Sequence, residues 1–291
     1  MAALRSAVYV TPPIPIYNPS TKGSAGLWSP ISCTLIYTSK EAVLVDTPIT
    51  IEQTNDLIKW IDKIAPGRKL AHIYVTHGHY DHFAGLPLLI EHFKGVIPIA
   101  TEGTIQHMKD QLEPEAFDKA WASRFPGQIP KPLTLANPLS KDGKFYLEDK
   151  YVLQAIECGH TDTYNSTILW IPEIKLAVCG DVIYGQVHQM LAYANTKAKR
   201  EEWIRAVEIV EKLNPMYVVP GHKQQYEIDG IWHLTNTKKY IQDFGKVLET
   251  DPKSPRDIVV AMTKLYPDRF NSGALIMSAQ GAFRIKKEQR I

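Results

Sequence analysis

One short segment constrains this chain more than any other, because it concentrates side chains that bind metals. Three histidines and an aspartate fall within six residues, at His77, His79, Asp81 and His82. The segment directly follows residues 71–75, an apolar run typical of a buried strand. The end of a strand is a rigid place from which to project ligands. A single histidine is usually an ordinary surface or core residue, but a cluster this dense predicts a metal site.

The spacing of these residues indicates how they would surround metal ions. His77 and His79 are two positions apart, so an extended backbone places both imidazoles on the same side. Asp81 and His82 follow after a turn of the chain, which suits a second ion nearby. Gly78 removes a side chain where we expect the backbone to crowd the ions. Neutral imidazole suits zinc and iron, and a carboxylate is a harder ligand.

Further segments complete a pattern that resembles the metallo-β-lactamase superfamily. The stretch His77-Gly78-His79-Tyr80-Asp81-His82 matches the HxHxDH signature of that superfamily in full. The other parts of the pattern follow in the expected order, as Cys158-Gly159-His160-Thr161, Cys179-Gly180-Asp181 and Pro220-Gly221-His222. Asp46, at the end of a predicted strand, resembles the aspartate that supports the metal loop. The resemblance extends over roughly residues 30–222.

The resemblance implies a site for two metal ions with every ligand position filled. The ligands it implies are, for one ion, His77, His79 and His160; for the other ion, Asp81, His82 and His222; and, as the bridge, Asp181. Two zinc ions are expected, with iron or manganese as alternatives, because geometry and availability decide between these metals. A metal lowers the pKa of water to about 7, so a bridging hydroxide would be the nucleophile. Asp81 would also orient that hydroxide.

Hydrophobic patterns divide the chain into strands and helices. Strand pairs are predicted at residues 32–38 with 42–45, 144–147 with 151–158, and 167–171 with 175–179. Helices are predicted at residues 50–64, 85–93, 101–121 and 200–213 and, with breaks, from 228 to the end. Residues 23–30 are predicted to form a loop. This order indicates an α/β protein with helices outside mixed sheets.

The resemblance narrows the fold class to an αββα sandwich of two mixed β-sheets flanked by helices. We expect one catalytic domain over residues 1–291, with residues 228–291 as a C-terminal helical extension packed on it. The apolar stripe of that extension fits core packing, a roof over the active site or a homodimer contact. These alternatives stay open at the level of the sequence.

Composition excludes several classes of partner. The formal net charge is +2, from 33 basic and 31 acidic residues, which is too balanced to indicate nucleic acid or an anionic membrane. The chain begins without the apolar core of a secretory signal, so we expect a cytoplasmic protein. Cys33, Cys158 and Cys179 have no regular spacing and predict buried free thiols rather than a disulfide framework.

One tyrosine and a set of apolar residues bear on the substrate. Tyr184 follows Asp181 by three residues, where lactone-opening members of the superfamily carry a tyrosine. The resemblance therefore implies that Tyr184 is catalytic, donating to the developing oxyanion. Candidates for a pocket that would suit a small, uncharged substrate are Leu27, Trp28, Phe83, His188 and Met190.

The sequence therefore predicts a hydrolase that opens a small cyclic amide or ester, a lactamase or lactonase with a role in xenobiotic detoxification. One alternative is a thioesterase similar to glyoxalase II, in which Lys238, Lys239 and Tyr240 would bind glutathione. A persulfide dioxygenase with one iron is disfavoured because the ligands for a second ion are complete. A non-catalytic scaffold is disfavoured because no ligand is missing.

Overall fold

Two β-sheets face each other at the centre of the molecule, in a computed structural model that describes residues 4–288. The strands, in chain order, are β1 (Arg5–Val10), β2 (Ile14–Asn18), β3 (Gly23–Trp28), β4 (Ser32–Tyr37), β5 (Glu41–Val45), β6 (Lys69–Tyr74), β7 (Ile97–Ala100), β8 (Asn137–Pro138), β9 (Lys144–Leu147), β10 (Tyr151–Gly159), β11 (Ser166–Ile171), β12 (Leu176–Val178) and β13 (Tyr217–Val219). The helices are α1 (Ile51–Ile64), α2 (Leu86–His92), α3 (Glu102–Gln111), α4 (Pro114–Phe117), α5 (Lys197–Lys212), α6 (Trp232–Glu249), α7 (Pro255–Leu265) and α8 (Ser272–Glu288).

Both sheets are mixed, as predicted. The first sheet has the order β1-β4-β5-β6-β7-β8, with antiparallel pairing up to β5 and parallel pairing from β5 to β8. The second sheet has the order β13-β12-β11-β10-β9, in which β12 and β13 are parallel and the other pairs antiparallel. Parallel neighbours end at the same edge of a sheet, so side chains that follow them meet there.

The alternation of side chains between the two faces of each strand explains why the sheets are packed between layers of helices. In β5, Val43 and Val45 are buried between the two sheets, whereas Ala42 and Leu44 are buried under the helices that cover the first sheet. Successive side chains of a strand point to opposite faces, so a strand that is apolar on both faces requires a layer on each side. The second sheet is covered in the same way by α5 to α8, whose buried side chains form one cluster with it. The result is the predicted αββα sandwich.

The N-terminal loop differs from the prediction. Residues 23–28 form β3, which pairs with β2 as a separate antiparallel ribbon. The sequence gives a weak strand signal here, because β3 contains two glycines and β2 contains Pro15. The ribbon places Trp28, its last residue, next to the metal-ligand segment.

Most other elements agree with the predictions to within a few residues. The break predicted at Pro114 separates α3 from α4, and residues Asp118–Ala122 continue as a π-helical turn. Thr50 caps α1 by accepting a hydrogen bond from the backbone N–H of Gln53. Among the described residues, no helix combines the length and the apolar character needed to cross a membrane.

Candidate metal centre

The predicted ligands converge at one edge of the sandwich, where strands of both sheets end. The segment 76–82 follows β6 and finishes in a short 3₁₀ turn, Tyr80–His82. Asp181 lies in a second 3₁₀ turn directly after β12, and His222 follows β13. Two groups of side chains result, each with its potential ligand atoms within 4.8 Å of one another. The first group is His77, His79, Asp162 and Asp181, and the second group is Asp81, His82 and His222.

The second group has the geometry of ligands around one ion. The Nε2 atoms of His82 and His222 are 3.4 Å apart. Asp81 Oδ2 lies 3.5 Å from His222 Nε2 and 4.0 Å from His82 Nε2. Ligand atoms about 2.0–2.1 Å from a tetrahedral ion are themselves separated by roughly 3.3 Å. These three atoms therefore leave room for an ion between them.

The first group contains a residue that the sequence did not single out. Asp162 Oδ2 lies 2.8 Å from His79 Nδ1 and 3.8 Å from His77 Nε2. Although the distance to His79 is short, Asp162 Oδ2 has no partner in hydrogen-bond geometry. Asp162 is fully buried. His79 and Asp162 form a close ion pair, and together with His77 their ligand atoms approach one point, which suits a shared cation.

Asp181 touches both groups, as expected of a bridging ligand. Its Oδ1 lies 3.3 Å from His82 Nε2, and its Oδ2 lies 3.4 Å from His222 Nε2. It also belongs to the set of atoms around His77 and His79. A carboxylate with two oxygens directed at neighbouring sites can bind an ion with each of them.

Buried polar atoms without partners support a metal at this place. His77 Nε2, Asp162 Oδ2 and Asp181 Oδ1 are buried and have no hydrogen bond. Leaving such an atom unsatisfied costs about 1–3 kcal/mol, and more for a charged group. The side chains present therefore fit metal ions, which would satisfy all of these atoms.

The electrostatics of the second group also favour a cation. Burial alone would lower the pKa of His222, but the Asp181 and Asp81 carboxylates outweigh it and raise that pKa to about 10. The pKa of His82 is raised well above its usual value, since the effect of burial is exceeded by Asp181, Asp81 and Asp46. The carboxylates thus stabilise positive charge between these imidazoles, and a divalent ion would supply it.

Outer hydrogen bonds fix the orientation of the second group. Asp46 Oδ2 lies 3.0 Å from His82 Nδ1, and Asp46 also accepts from the backbone and hydroxyl of Thr76, both at 2.8 Å. His222 Nδ1 lies 2.8 Å from the carbonyl oxygen of Pro30. The indole N–H of Trp28 donates to Asp81 Oδ2 at 3.0 Å. Partners of this kind set the ring orientation of metal-binding histidines.

His160 is the one predicted ligand that the structure does not bring to the others. Its Nε2 lies 3.2 Å from the carbonyl oxygen of Tyr193, outside both groups. The register between β10 and β11 shifts at Glu157–Gly159, and Gly159 has φ +80°. A bulge of this kind re-aims the following side chains. Here it turns His160 away, and Asp162 is the residue that points inward.

Close contacts explain why glycine occupies two positions near the ligand groups, Gly78 and Gly221. A Cβ on Gly78 would lie 2.5 Å from the side chain of His107, so this position allows His107 to pack against the ligand loop. The expectation that Gly78 also leaves room for the ions stays a prediction. A Cβ on Gly221 would collide with Asp181 Oδ1. Gly221 therefore lets the segment after β13, which carries His222, approach Asp181.

A cavity of about 150 Å³ opens onto both groups. Of the predicted pocket residues, Trp28 and Met190 line it, together with Tyr184. Phe83 is in the core beside Tyr80, His188 is buried against the hydroxyl of Tyr240, and Leu27 is 45% exposed. Lining residues that the sequence did not indicate are Ser29, Gln111, Ala120, Trp121, Arg124, Asp162, Tyr193, Asn271 and Met277.

Tyr184 is buried beside the bridging ligand. Its hydroxyl donates a hydrogen bond to Asp181 Oδ2. Burial first, and the Asp181 carboxylate second, raise its pKa well above the usual value, so the phenol keeps its proton.

The three cysteines are buried and free, as predicted. Burial raises the pKa of Cys158 to about 12, which leaves it without nucleophilic character at neutral pH.

The residues considered for glutathione binding lie elsewhere. Lys238 pairs with Glu211 at 2.7 Å, and Lys239 pairs with Asp243. Tyr240 is fully buried. None of these three is among the residues that line the cavity.

Comparisons with known proteins agree with this geometry. The sequence profile of the metallo-β-lactamase superfamily matches residues 26–222. Among solved structures, TMB-1 superposes with a TM-score of 0.58 at 20% identity, covering 83% of this chain and 97% of its own. DIM-1 exposed to ceftazidime gives 0.58 at 18% identity, covering 83% and 96%.

A metallo-β-lactamase from Pontibacter korlensis gives a TM-score of 0.55 at 18% identity, covering 84% of this chain and 100% of its own. A comparison with curated proteins found no match. At these identities the solved structures establish the fold, and the profile match extends over the segments that carry the ligands. The chain therefore belongs to the metallo-β-lactamase superfamily of metal-dependent hydrolases.

Proposed function

We propose that this protein is a dinuclear metal hydrolase that opens a small cyclic amide or ester. The observation that carries the proposal is the pair of ligand groups joined by Asp181 at the wall of one cavity, with the protonated phenol of Tyr184 beside them. This arrangement offers two cation sites and a proton donor to one small substrate. A role in detoxifying xenobiotic lactams or lactones is part of the same proposal.

The metal set we propose differs from the family pattern at one position. One ion would be held by His77, His79 and Asp162, the other by Asp81, His82 and His222, with Asp181 between them. Two zinc ions are the proposed occupants. Asp162 adds a carboxylate where the family pattern has an imidazole, which shifts the preference of that position toward harder ions such as iron or manganese.

Different groups at the cavity would have different roles in ring opening. When bound, the two ions lower the pKa of water and polarise the substrate carbonyl. Asp81 accepts a hydrogen bond from Trp28, which fixes its carboxylate next to the cavity. Tyr184 can donate its proton to the developing oxyanion or to the leaving group once substrate displaces its bond to Asp181.

The size and walls of the cavity suit a small ring. An engineered cavity of about 150 Å³ is large enough for benzene, and this cavity has a similar volume. Aromatic rings of Trp28, Trp121 and Tyr193 line it. A glutathione thioester would need contacts beyond this cavity, and Lys238, Lys239 and Tyr240 do not line it.

The test combines metal content with initial rates. The purified protein is assayed by elemental analysis and against a panel of lactones, lactams and a glutathione thioester, with Asp181→Ala as the inactive control. Two equivalents of metal with ring opening that Asp181→Ala abolishes would support the proposal. One equivalent of iron, or hydrolysis of the thioester alone, would refute it and leave the fold unchanged.

A further inference from the structure

One arginine lines the cavity, although an uncharged substrate would not require a permanently charged side chain there. Arg124 is among the lining residues together with His79, Asp81 and His222, and the lining includes no lysine and no second arginine. Its side chain is half-buried, and burial lowers its pKa. A guanidinium stays charged at any physiological pH, so this wall carries a permanent positive charge.

Within residues 4–285 the Arg124 guanidinium forms no ion pair; burial lowers its pKa, and the charges of Tyr193 and Asp81 act in the opposite direction. Its described side-chain contact is with the ring of Trp28, whose centroid lies 5.9 Å from Cζ. Among the same described residues, no hydrogen bond joins its five N–H groups to the protein. Charged groups withdrawn from water are costly unless they are paired. An anionic partner would therefore stabilise the half-buried guanidinium of Arg124.

The backbone holds Arg124 in a fixed position. Its N–H donates to Trp121 at 3.0 Å, and its carbonyl accepts from the N–H of Tyr17 at 2.9 Å. Its neighbours Trp121 and Phe125 are buried. The turn before it, Asp118–Ala122, is π-helical, a rare conformation that is frequent at functional sites. The side chain is therefore presented to the cavity by a rigid wall.

We propose that Arg124 binds a carboxylate group of the substrate, which rests on the proposed function and adds that the substrate is an anion. The planar fork of the guanidinium matches the two oxygens of a carboxylate, while the aromatic rings of Trp28 and Trp121 contact the body of the substrate.

Binding of benzoate and its uncharged counterpart benzamide tests this role without requiring turnover. Both are titrated by NMR into the metal-loaded protein and into Arg124→Gln. We expect Arg124→Gln to weaken benzoate binding roughly 10- to 100-fold, the range for a lost charged hydrogen bond. Benzamide binding should be equal in the two proteins. Arg124→Lys keeps the charge but loses the fork, and should retain part of the benzoate affinity.

The matched control is Arg205→Gln, which removes the same charge from an exposed position on α5. Benzoate affinity equal in wild type and Arg124→Gln would overturn the inference, since binding would then involve the metals alone. A wild-type protein that prefers benzamide would also overturn it. Loss of benzoate binding in Arg124→Gln, in a protein that opens none of the rings on the panel, would uphold this inference and refute the proposed function.

Discussion

The two ligand groups differ in how the protein holds them. In the second group, each side chain has an outer partner from a distant part of the chain, namely Asp46 for His82, Pro30 for His222 and Trp28 for Asp81. In the first group, Asp162 lies in the loop between β10 and β11 and accepts a hydrogen bond from its neighbour Thr161 at 2.9 Å. A ligand on a loop depends on local backbone geometry, whereas ligands at strand ends depend on the sheets.

The largest loss of metal affinity is expected from a substitution of Asp181, which contacts both ligand groups. Asp181→Ala removes the carboxylate that contacts both, so affinity at both metal positions should fall by more than about 100-fold, given that losing an outer partner alone costs about 10- to 100-fold. Activity should disappear with the metal. Elemental analysis after dialysis and the rate on the best panel substrate measure this. Loss of metal from one group alone would contradict the bridging role.

The next change separates the groups. Asp162→Ala should empty the first group and leave the second occupied, so the metal content falls from two equivalents to one. His160→Ala is the matched control, because His160 contacts Tyr193 rather than the ligands, and it should keep both ions. Metal content is again measured by elemental analysis. The opposite result, loss in His160→Ala and retention in Asp162→Ala, would restore the ligand set that the family resemblance implies.

This contrast also explains what the sequence can and cannot predict. Six of the proposed ligands, and the contact of Asp46 with His82, follow from signatures beside strand ends, where register fixes direction. Asp162 could not be predicted, because Gly159-His160-Thr161 matches the expected segment while the bulge at Gly159 decides which side chain points inward. No local signal marks that choice.

Cavity residues are harder to predict for a related reason. Arg124 comes from an irregular turn, and Asn271 and Met277 come from the C-terminal region, far from the ligands in sequence. Their arrival at the cavity depends on how α6 to α8 pack against the second sheet. Hydrophobic periodicity predicted those helices but contains no information about which residues face the site.

A smaller effect is expected from a side chain that contacts the bridge without being a ligand. Tyr184→Phe should lower turnover roughly 10- to 1000-fold through loss of the proton donor, while both ions stay bound. Steady-state kinetics and metal content are measured on the same preparation. Metal loss that parallels the loss of activity would mean that Tyr184 acts by positioning Asp181. Unchanged turnover would reduce it to a packing residue.

The smallest loss of metal affinity is expected when one of the hydrogen-bond partners around the second group is removed. Trp28, which donates to Asp81, is such a partner. Trp28→Phe keeps an aromatic ring against Trp121 and Phe125, with which Trp28 now packs at 5.3 and 5.8 Å, but removes the N–H that donates to Asp81. Affinity of the second group should fall about 10-fold, the lower end of the range for an outer partner, with the first group unchanged.

Competition with a chelator resolves the two affinities, and Trp60→Phe is the control because Trp60 packs on Tyr9, apart from the cavity residues. Equal affinities in Trp28→Phe and wild type would show that the sheets alone hold the second group. Its outer hydrogen bonds would then contribute orientation but no measurable binding energy. A fall confined to the second group would show that the β2–β3 ribbon, through Trp28, forms part of the metal site.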